Sequence, residues 1–281
     1  MPLFRDEEYL RVDFEEEKEK DEALWVKCRS CEKLIFKKKL QENNHVCPNC
    51  GGYFFLTAKE RIKSLVDEES FSDKTKRIES DNPLDFVDTQ PYEKKIDENQ
   101  AETGMFDAII VGLGEIDEKP LVLSVMDFRF IGGSMGSVVG EQIVSGIELA
   151  VDEELPFVLV SSSGGARMQE GLLSLMQMVK TTSARELLSE ASLPFISVMT
   201  YPTTAGVEAS IASLGDITIA ERGALIGFAG RRVIEETISE ELPQDFQSSE
   251  FALEHGIVDS VVERDSMRGE LAKILGFFNL S

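Results

Sequence analysis

Two groups of residues in this sequence could do chemistry: a set of glycine-rich turns and a cluster of four cysteines. The turns follow apolar runs and contain Gly132-Gly133, Gly164-Gly165 and Ala205-Gly206. Glycine lets backbone N–H groups approach a phosphate or an oxyanion closely. Several such turns in one domain predict a cleft lined by backbone amides, and stabilising an oxyanion in this way requires neither a histidine nor a metal.

The cysteines all lie in one short segment and are spaced Cys-x2-Cys-x15-Cys-x2-Cys. They are Cys28, Cys31, Cys47 and Cys50. Two short-spaced pairs separated in this way are typical of a zinc site with four thiolate ligands. Four thiolates leave no position for water, so the predicted zinc ion is structural rather than catalytic. Two disulfides are the alternative, which a cytoplasmic location disfavours.

Side-chain chemistry is poorly supplied by comparison. Residues 132–136 match the G-x-S-x-G pattern of a serine hydrolase, and the order Ser134, Asp216, His255 is formally that of a catalytic triad. However, the chain has only two histidines. The sequence also lacks the G-x-x-x-x-G-K-[ST] phosphate loop and the third glycine of a dinucleotide-binding turn. These observations favour oxyanion stabilisation by backbone amides over the other two chemistries.

Alternating strands and helices are predicted to position the turns. Apolar runs bounded by turn residues predict strands at 107–116, 120–126, 156–161, 194–199, 216–220 and 224–228. Apolar residues at helical spacing predict helices at 58–67, 137–150 and 168–190. This alternation is typical of an α/β layer fold. We expect Met168, Met176 and Met178 to pack in the core rather than to bind a ligand.

The 281 residues are predicted to form four segments. These are an acidic, flexible lead-in (1–23), a four-cysteine zinc ribbon (24–56), a helical or mixed connector (57–105) and an α/β core (106–281). No run of 18 apolar residues and no secretory leader pattern is present. We therefore expect a cytoplasmic protein that does not cross a membrane.

The formal net charge of −23 opposes nucleic-acid binding by the protein as a whole. Six basic residues nevertheless lie between positions 27 and 39, where Glu32 is the only acidic residue. This basic stretch of the ribbon leaves two interpretations open: a surface that contacts nucleic acid or an acidic partner, and a solvated face that offsets the acidic neighbours.

Several longer motifs carry a resemblance to a known family. They are SSSGGARMQE (161–170), MGSVVGEQIV (135–144), YPTTAGVEAS (201–210) and ALIGFAGRRVIEET (224–237). Together with the four cysteines, they resemble the β subunits of bacterial acetyl-CoA carboxylase carboxyltransferase, over roughly residues 24–275. The resemblance implies a crotonase-like fold of stacked ββα units behind a small N-terminal zinc ribbon.

The resemblance also implies a reaction. A carboxyl group would move from carboxybiotin, borne on a separate biotin carboxyl carrier protein, to acetyl-CoA, giving malonyl-CoA. The sequence has no biotinylation motif and no ATP loop. It therefore implies an α subunit that completes an α2β2 carboxyltransferase, with biotin carboxylase as a further partner. A carboxyltransferase for another acyl-CoA and a nucleic-acid-binding zinc-ribbon regulator remain as alternatives.

Site residues follow from the turns and from the resemblance. Catalytic roles as oxyanion donors are expected for the backbone of Ala205, Gly206, Gly164 and Gly165. Substrate binding is expected for Gly132, Gly133, Arg167 and Arg231, the two arginines as contacts to CoA phosphates. Two positions depart from the family pattern, because Ala205 replaces a usual glycine and Arg231 a common proline. Alanine keeps its N–H, so donation survives unless the turn needs a positive φ.

Overall fold

The structure is a computed structural model that describes residues 24–28 and 30–278, and the side chain of Arg232 is not among the parts described. The predicted acidic lead-in at 1–23 lies outside the described residues. The chain divides into two compact units, with the boundary between Phe54 and Phe55. Each unit is described by itself.

The first unit contains an antiparallel pair of short strands followed by a short helix. Strand β1 (Trp25–Lys27) pairs with β2 (Leu34–Phe36), and helix α1 (Lys37–Glu42) follows at once. Among residues 24–28 and 30–54, its buried residues are Ile35, Leu40 and two of the cysteines, with a few half-buried neighbours. So small a core supplies little stability, and units of this size usually depend on a metal or disulfides.

The second unit is built on one eight-stranded sheet within the described residues. Its strands are β3 (Ser72–Asp73), β4 (Ile109–Ile116), β5 (Lys119–Met126), β6 (Phe157–Ser163), β7 (Phe195–Thr204), β8 (Ile217–Glu221), β9 (Ile226–Gly227) and β10 (Ser260–Val262). Their order is β10-β8-β7-β6-β5-β4-β3, and β9 pairs with the end of β7. The strands from β5 to β10 are parallel, whereas β3, β4 and β5 pair antiparallel.

Helices precede, connect and follow the strands of this sheet. They are α2 (Ala58–Leu65), α3 (Tyr92–Thr103), α4 (Ser137–Asp152), α5 (Leu172–Glu190), α6 (Ala205–Glu208), α7 (Arg231–Ile238), α8 (Ser249–Glu254) and α9 (Met267–Phe277). Strands β4 and β5 with helix α4 form a ββα unit, and the predicted α/β alternation is confirmed. Over residues 24–28 and 30–278, none of these helices combines the length and apolar composition needed to span a bilayer.

Two boundaries differ from the prediction for local reasons. Strand β7 runs on to Thr204 because its last residues pair with β6 and with β9. The helix predicted at 168–190 is interrupted. A 3-10 turn covers Met168–Glu170, and α5 starts afresh after Gly171, whose φ of 52° is not helical.

The sheet is covered on both faces. All six residues of β5 from Leu121 to Met126 are buried, although successive side chains of a strand point to opposite faces. Helix α4 packs on β4 and β5 and against α5. Helix α2 is fixed by a capping box between Thr57 and Glu60, and its first N–H donates to the buried Asp127 carboxylate at 2.8 Å.

Helix α5 has the opposite amphipathicity to that expected of a surface helix. Its buried residues include the polar Ser174, Gln177 and Thr181, at positions i, i+3 and i+7. The prediction that Met168 and Met176 pack in the core is wrong, because they are 66% and 49% exposed. A methyl group built on Gly140 of α4 would meet the Gln177 side chain at 2.2 Å. The polar side of α5 therefore occupies the interior, and its apolar side faces outward.

A buried ion cluster connects α2 with β8 and the segment after β10. The Glu221 carboxylate accepts hydrogen bonds from Arg61 Nη1 at 2.6 Å and from Arg264 Nε and Nη2 at 3.0 and 2.9 Å. All three side chains are at most 6% exposed. Burial alone would raise the pKa of Glu221, but the Arg61 charge and the hydrogen bonds from Arg264 lower this pKa to about 2.

We predict that Glu221→Gln lowers the free energy of unfolding by about 3–5 kcal/mol at pH 7, because two buried guanidinium groups lose their counter-charge. Urea titration checks this prediction. The control is Glu148→Gln, at an exposed ion pair with Lys76, where we expect a loss of less than about 1 kcal/mol.

Wild type and Glu221→Gln can also be compared as a function of pH. The pKa of Glu221 is about 2 in the folded protein and about 4.3 when unfolded, so its contribution is complete above about pH 5 and is lost as pH falls towards 2. The difference in unfolding free energy between wild type and Glu221→Gln should shrink over that interval. An equal difference at pH 7 and pH 3 would contradict the assignment.

Candidate functional site

The first unit brings the four cysteine sulfurs together. The Sγ atoms of Cys28 and Cys50 are 3.7 Å apart, those of Cys31 and Cys47 are 3.8 Å apart, and all four lie within 4.8 Å of one another. A disulfide would require about 2.05 Å, so the cysteines are free thiols. Four thiolates bound tetrahedrally to zinc at about 2.3 Å are about 3.8 Å apart. The donor set therefore fits a closed, structural zinc ion.

Two tight backbone turns hold these sulfurs. Cys28 N–H donates to the Lys33 carbonyl at 2.9 Å, and Cys47 N–H donates to the Gly52 carbonyl at 2.8 Å. Each turn presents two sulfurs of a Cys-x2-Cys pair on the same side. Zinc bound there would join two turns that this unit's small core hardly stabilises, so metal binding and folding of the unit are expected to be coupled.

We predict that Cys47→Ser abolishes stoichiometric zinc binding and unfolds the first unit, while the far-UV circular dichroism of the second unit persists. Metal analysis of the purified protein measures the first effect. Ser30→Ala, between the first two cysteines, is the control and should retain one zinc per chain. Stoichiometric zinc of unchanged affinity in Cys47→Ser would show that the four thiolates are not the ligand set.

In the second unit, the three glycine-rich turns lie at one edge of the sheet. Strands β5, β6 and β7 are parallel, so their carboxyl ends share that edge, which is where open α/β sheets bind ligands. The turns at 132–136, 164–166 and 205–206 follow these strands in order. Gly164 N–H donates to the Gly132 carbonyl at 2.9 Å, and Met135 N–H donates to the Gly165 carbonyl at 2.8 Å. The structure thus brings together the three turns singled out in the sequence.

Two of the glycines are required by close backbone approach. A methyl group on Gly133 would lie 2.0 Å from the Ser162 carbonyl oxygen. One on Gly165 would lie 2.5 Å from Ala205 Cβ. Both glycines also have a positive φ, of 62° and 116° respectively. Any larger residue at either position would force the two turns apart.

Not every amide at this edge can serve a ligand. Gly164 N–H is bonded to the Gly132 carbonyl, and Gly165 N–H donates to Ser163 Oγ at 3.0 Å. The second glycine turn, expected to donate to an oxyanion, has therefore committed both of its N–H groups inside the protein. Its structural contribution is to let the neighbouring chain approach closely.

Two other amides, those of Ala166 and Gly206, lie close to each other. A methyl group built on Gly206 would lie 3.3 Å from Ala166 N, and one built on Gly165 would lie 3.2 Å from Gly206 N. Neither N–H has a hydrogen-bond acceptor within residues 24–28 and 30–278. Ala166 was not among the sequence-predicted residues. The only sequence signal for it is its position directly after the Gly164-Gly165 pair.

The alanine that replaces the family's glycine occupies a strained position. Ala205 has a φ of 52°, in the left-handed region that costs an L-residue about 1–2 kcal/mol. The turn therefore does need a positive φ at residue 205, which is the case in which alanine was expected to disturb it. Its Cβ packs towards Gly165, so a glycine opposite it accommodates the extra methyl group.

The expectation that Arg167 contacts a CoA phosphate needs correction. Its side chain is 0% exposed. The guanidinium forms a two-bond ion pair with Asp107 and also donates to Tyr92 Oη and to the Ser134 carbonyl. A group that is fully buried and fully bonded cannot reach a phosphate in solvent. Arg167 instead belongs to a polar network beneath the turns.

The hydrolase alternative is also wrong. Ser134 Oγ donates to the Ile131 carbonyl at 2.7 Å and accepts from Arg167 Nε at 3.1 Å. The exposed His255 ring stacks on Phe251 and bonds that residue's carbonyl through Nδ1. Asp216 pairs with Arg185. The three residues of the supposed triad thus have separate partners.

Arg231 begins helix α7 and is partly exposed. Its Nε donates to Glu235 at 3.0 Å, and its Nη1 donates to the Pro243 carbonyl at 2.6 Å. These bonds tie α7 to the loop that follows it. A contact between Arg231 and a CoA phosphate remains a prediction.

Comparisons with known proteins agree with this architecture. The carboxyl transferase domain family matches residues 56–278, and the acetyl-CoA carboxylase zinc finger domain matches residues 25–50. The chain is 52% identical to the acetyl-coenzyme A carboxylase carboxyl transferase subunit beta of Citrifermentans bemidjiense, covering 90% of each chain. It is 49% identical to a protein of Natranaerobius thermophilus named as subunits beta/alpha, covering 90% of this chain and 42% of that protein.

Solved structures show the same fold. Transcarboxylase 12S, described with methylmalonyl-coenzyme A bound, aligns over 84% of this chain and 42% of its own, with a TM-score of 0.65 and 26% identity. A Pseudomonas malonate decarboxylase hetero-tetramer aligns over 79% of this chain and 82% of its own, with a TM-score of 0.63 and 25% identity. The predicted crotonase-like α/β fold with an N-terminal four-cysteine ribbon is confirmed. By its sequence, its zinc ribbon and its fold, the chain belongs to the family of acetyl-CoA carboxylase carboxyl transferase beta subunits.

Proposed function

We propose that this chain is the β subunit of the carboxyltransferase component of acetyl-CoA carboxylase. It would transfer a carboxyl group from carboxybiotin, borne on a biotin carboxyl carrier protein, to acetyl-CoA to form malonyl-CoA. The observation that carries the proposal is the pair of neighbouring amides, Gly206 N–H and Ala166 N–H, at the carboxyl edge of the parallel strands, neither of which has an acceptor among the described residues. Family membership supplies the substrates, and the amide pair supplies the chemistry that they need.

The reaction needs an acceptor for negative charge on oxygen. Removing a proton from the acetyl methyl group gives a thioester enolate, whose oxygen carries the new charge. The enolate carbon then forms a bond to the carboxyl carbon, while the C–N bond of carboxybiotin breaks and the biotin nitrogen group takes up the proton. Two preorganised N–H groups would stabilise the enolate oxygen in a site from which water is partly excluded.

The surroundings of the amide pair suit an oxyanion. Glu208 is the nearest acidic residue along the chain from Gly206, and burial raises the pKa of its carboxyl. The Arg167 charge is already balanced by Asp107, so the arginine would not attract the substrate oxygen away from the amides. The backbone, rather than a charged side chain, is left to bind the oxygen.

A partner surface is provided by helix α5. Leu172, Leu175, Met176 and Val179 form a stripe at positions i, i+3, i+4 and i+7, and each is 49–70% exposed. An apolar stripe of this kind normally faces a protein core, and exposed patches of this type mark interaction sites. We infer that the carboxyltransferase α subunit covers it, in an α2β2 assembly. The fusion named beta/alpha in Natranaerobius thermophilus supports this partner.

Further partners and the location follow from the same proposal. The biotin carboxyl carrier protein would deliver carboxybiotin, which biotin carboxylase forms. Four free thiols arranged for zinc suit the reducing cytoplasm, where we expect the complex to work.

The proposal is tested by malonyl-CoA formation from acetyl-CoA and carboxybiotin. We expect activity from this chain together with its α subunit and none from either subunit alone. Propionyl-CoA in place of acetyl-CoA should react much more slowly. Preference for propionyl-CoA would point to another acyl-CoA carboxylase, and a fully assembled complex without transfer to either thioester would contradict the proposed function.

We predict that Gly206→Ala lowers kcat by about 10²-fold, comparable to the loss of one oxyanion donor. The new methyl group would lie 3.3 Å from Ala166 N and so obstruct both N–H groups without changing a charge. Acetyl-CoA KM should change much less, because the oxyanion exists only near the transition state. Gly269→Ala, in a helix with open space around the glycine, is the control. Unchanged kcat in an assembled Gly206→Ala enzyme would place the oxyanion site elsewhere.

A further inference from the structure

The Arg167 guanidinium uses all five of its N–H groups. Nη1 donates to Asp107 Oδ2 at 2.8 Å and to Tyr92 Oη at 3.1 Å. Nη2 donates to Asp107 Oδ1 at 2.5 Å and to the Ser134 carbonyl at 2.8 Å, and Nε donates to Ser134 Oγ at 3.1 Å. A planar, five-donor group held in this way has a single orientation. The segments it joins come from three distant parts of the chain.

The backbone of Arg167 extends the same connection to the glycine turns. Arg167 N–H donates to the Met135 carbonyl at 3.0 Å, and Met135 N–H donates to the Gly165 carbonyl at 2.8 Å. Ala166 is therefore held on both sides, through Gly165 and through Arg167. Its own N–H takes no part in these bonds, and its nitrogen lies on the side of Gly206.

A second acidic residue anchors the other end of the network. Glu170 Oε2 accepts from Ser137 N–H, at the start of α4, at 2.6 Å, and Oε1 accepts from Tyr92 and Ser80, each at 2.7 Å. Burial alone would raise the pKa of Glu170, but these hydrogen bonds and the Arg167 charge hold it below its ordinary value. Burial raises the pKa of Tyr92 to about 12, and its hydroxyl donates to Glu170.

We propose that Arg167 and Asp107 are positioning residues, which orient the Ala166 peptide so that its N–H and that of Gly206 converge on the same oxygen. This inference rests on the proposed function. It states that a buried ion pair sets the orientation of the Ala166 N–H group. Without the pair, the chain from 164 to 167 keeps its glycines but loses its fixed orientation. The loss should affect the transition state more than substrate binding.

The test compares Asp107→Asn with wild type in the assembled carboxyltransferase. Asparagine retains the shape of aspartate but removes the counter-charge that bonds Arg167 directly and replaces one acceptor by a donor, leaving only Glu170, 3.8 Å from Arg167 Nη1, as a counter-charge. We expect kcat to fall about 10²-fold, with acetyl-CoA KM changed less than about threefold. Hydrogen exchange of the peptide covering 164–168 should become at least tenfold faster.

Glu221→Gln is the matched control, because it breaks a buried arginine–carboxylate cluster of the same kind that makes no bond to the turns. It should lower the melting temperature without changing kcat or the exchange of the 164–168 peptide. If Asp107→Asn does not fold, Tyr92→Phe removes a single acceptor from Arg167 and should lower kcat by about three- to tenfold at unchanged KM.

The outcomes separate this inference from the proposed function. Wild-type assembly without malonyl-CoA formation contradicts the proposed function, while the exchange measurement still tests the positioning of the 164–168 segment. Positioning by Arg167 and Asp107 is overturned if folded Asp107→Asn, or Tyr92→Phe in its place, matches Glu221→Gln in both kcat and exchange. It is also overturned if only KM rises.

Discussion

The candidate site depends on the close backbone approach of two turns at the carboxyl edge of parallel strands. A methyl group on Gly133 would come within 2.0 Å of the Ser162 carbonyl, so the 132–136 turn can lie there only with glycine at this position. With the two turns in contact, the N–H groups of Gly164 and Gly165 donate to the Gly132 carbonyl and to Ser163 Oγ. Two amides just beyond the contact, those of Ala166 and Gly206, have no acceptor among the described residues.

Backbone donors have a mechanistic consequence. Apart from proline, no substitution removes a backbone N–H, so its direction must be set by the groups that hold the peptide plane. Here a fully buried arginine and its carboxylate partner perform that task from below. A buried ion pair is by itself weak evidence that a residue was placed for stability. The location of Arg167 and Asp107 next to the turns therefore says more about their role than the strength of the pair does.

The apolar stripe on α5 is exposed in the isolated chain. Gln177 Nε2 and Thr181 Oγ1 donate to carbonyls of their own helix, while the buried Gln177 Oε1 has no hydrogen-bond partner among the described residues. Leu172 and Val179 are exposed. Burying this stripe would recover hydrophobic free energy that the isolated chain leaves in water. The α subunit that we propose to cover the stripe would therefore add to the stability of this chain.

The sequence predicted what depends on spacing and local chemistry. The Cys-x2-Cys pairs specify the thiolate cluster, and the apolar runs specify the strands and therefore the edge at which the turns meet. It could not reveal which amides remain available, because that depends on hydrogen bonds between segments far apart in the chain, such as Gly164 with Gly132. Nor could it place Arg167, since an arginine in a polar turn is normally a surface residue. The exposure of Met176 was missed because apolar periodicity does not distinguish a core from an interface.

The central claim is that Gly206 N–H and Ala166 N–H bind one oxygen together. A crystal structure of the assembled α and β subunits with an acetyl-CoA analogue that carries an enolate-like oxyanion tests it most directly. The claim predicts that this oxygen lies about 2.7–3.1 Å from both nitrogens, with Gly164 N–H still bonded to the Gly132 carbonyl. An oxyanion bound to Gly164 or Gly165, or to any side chain in place of the two amides, would contradict it.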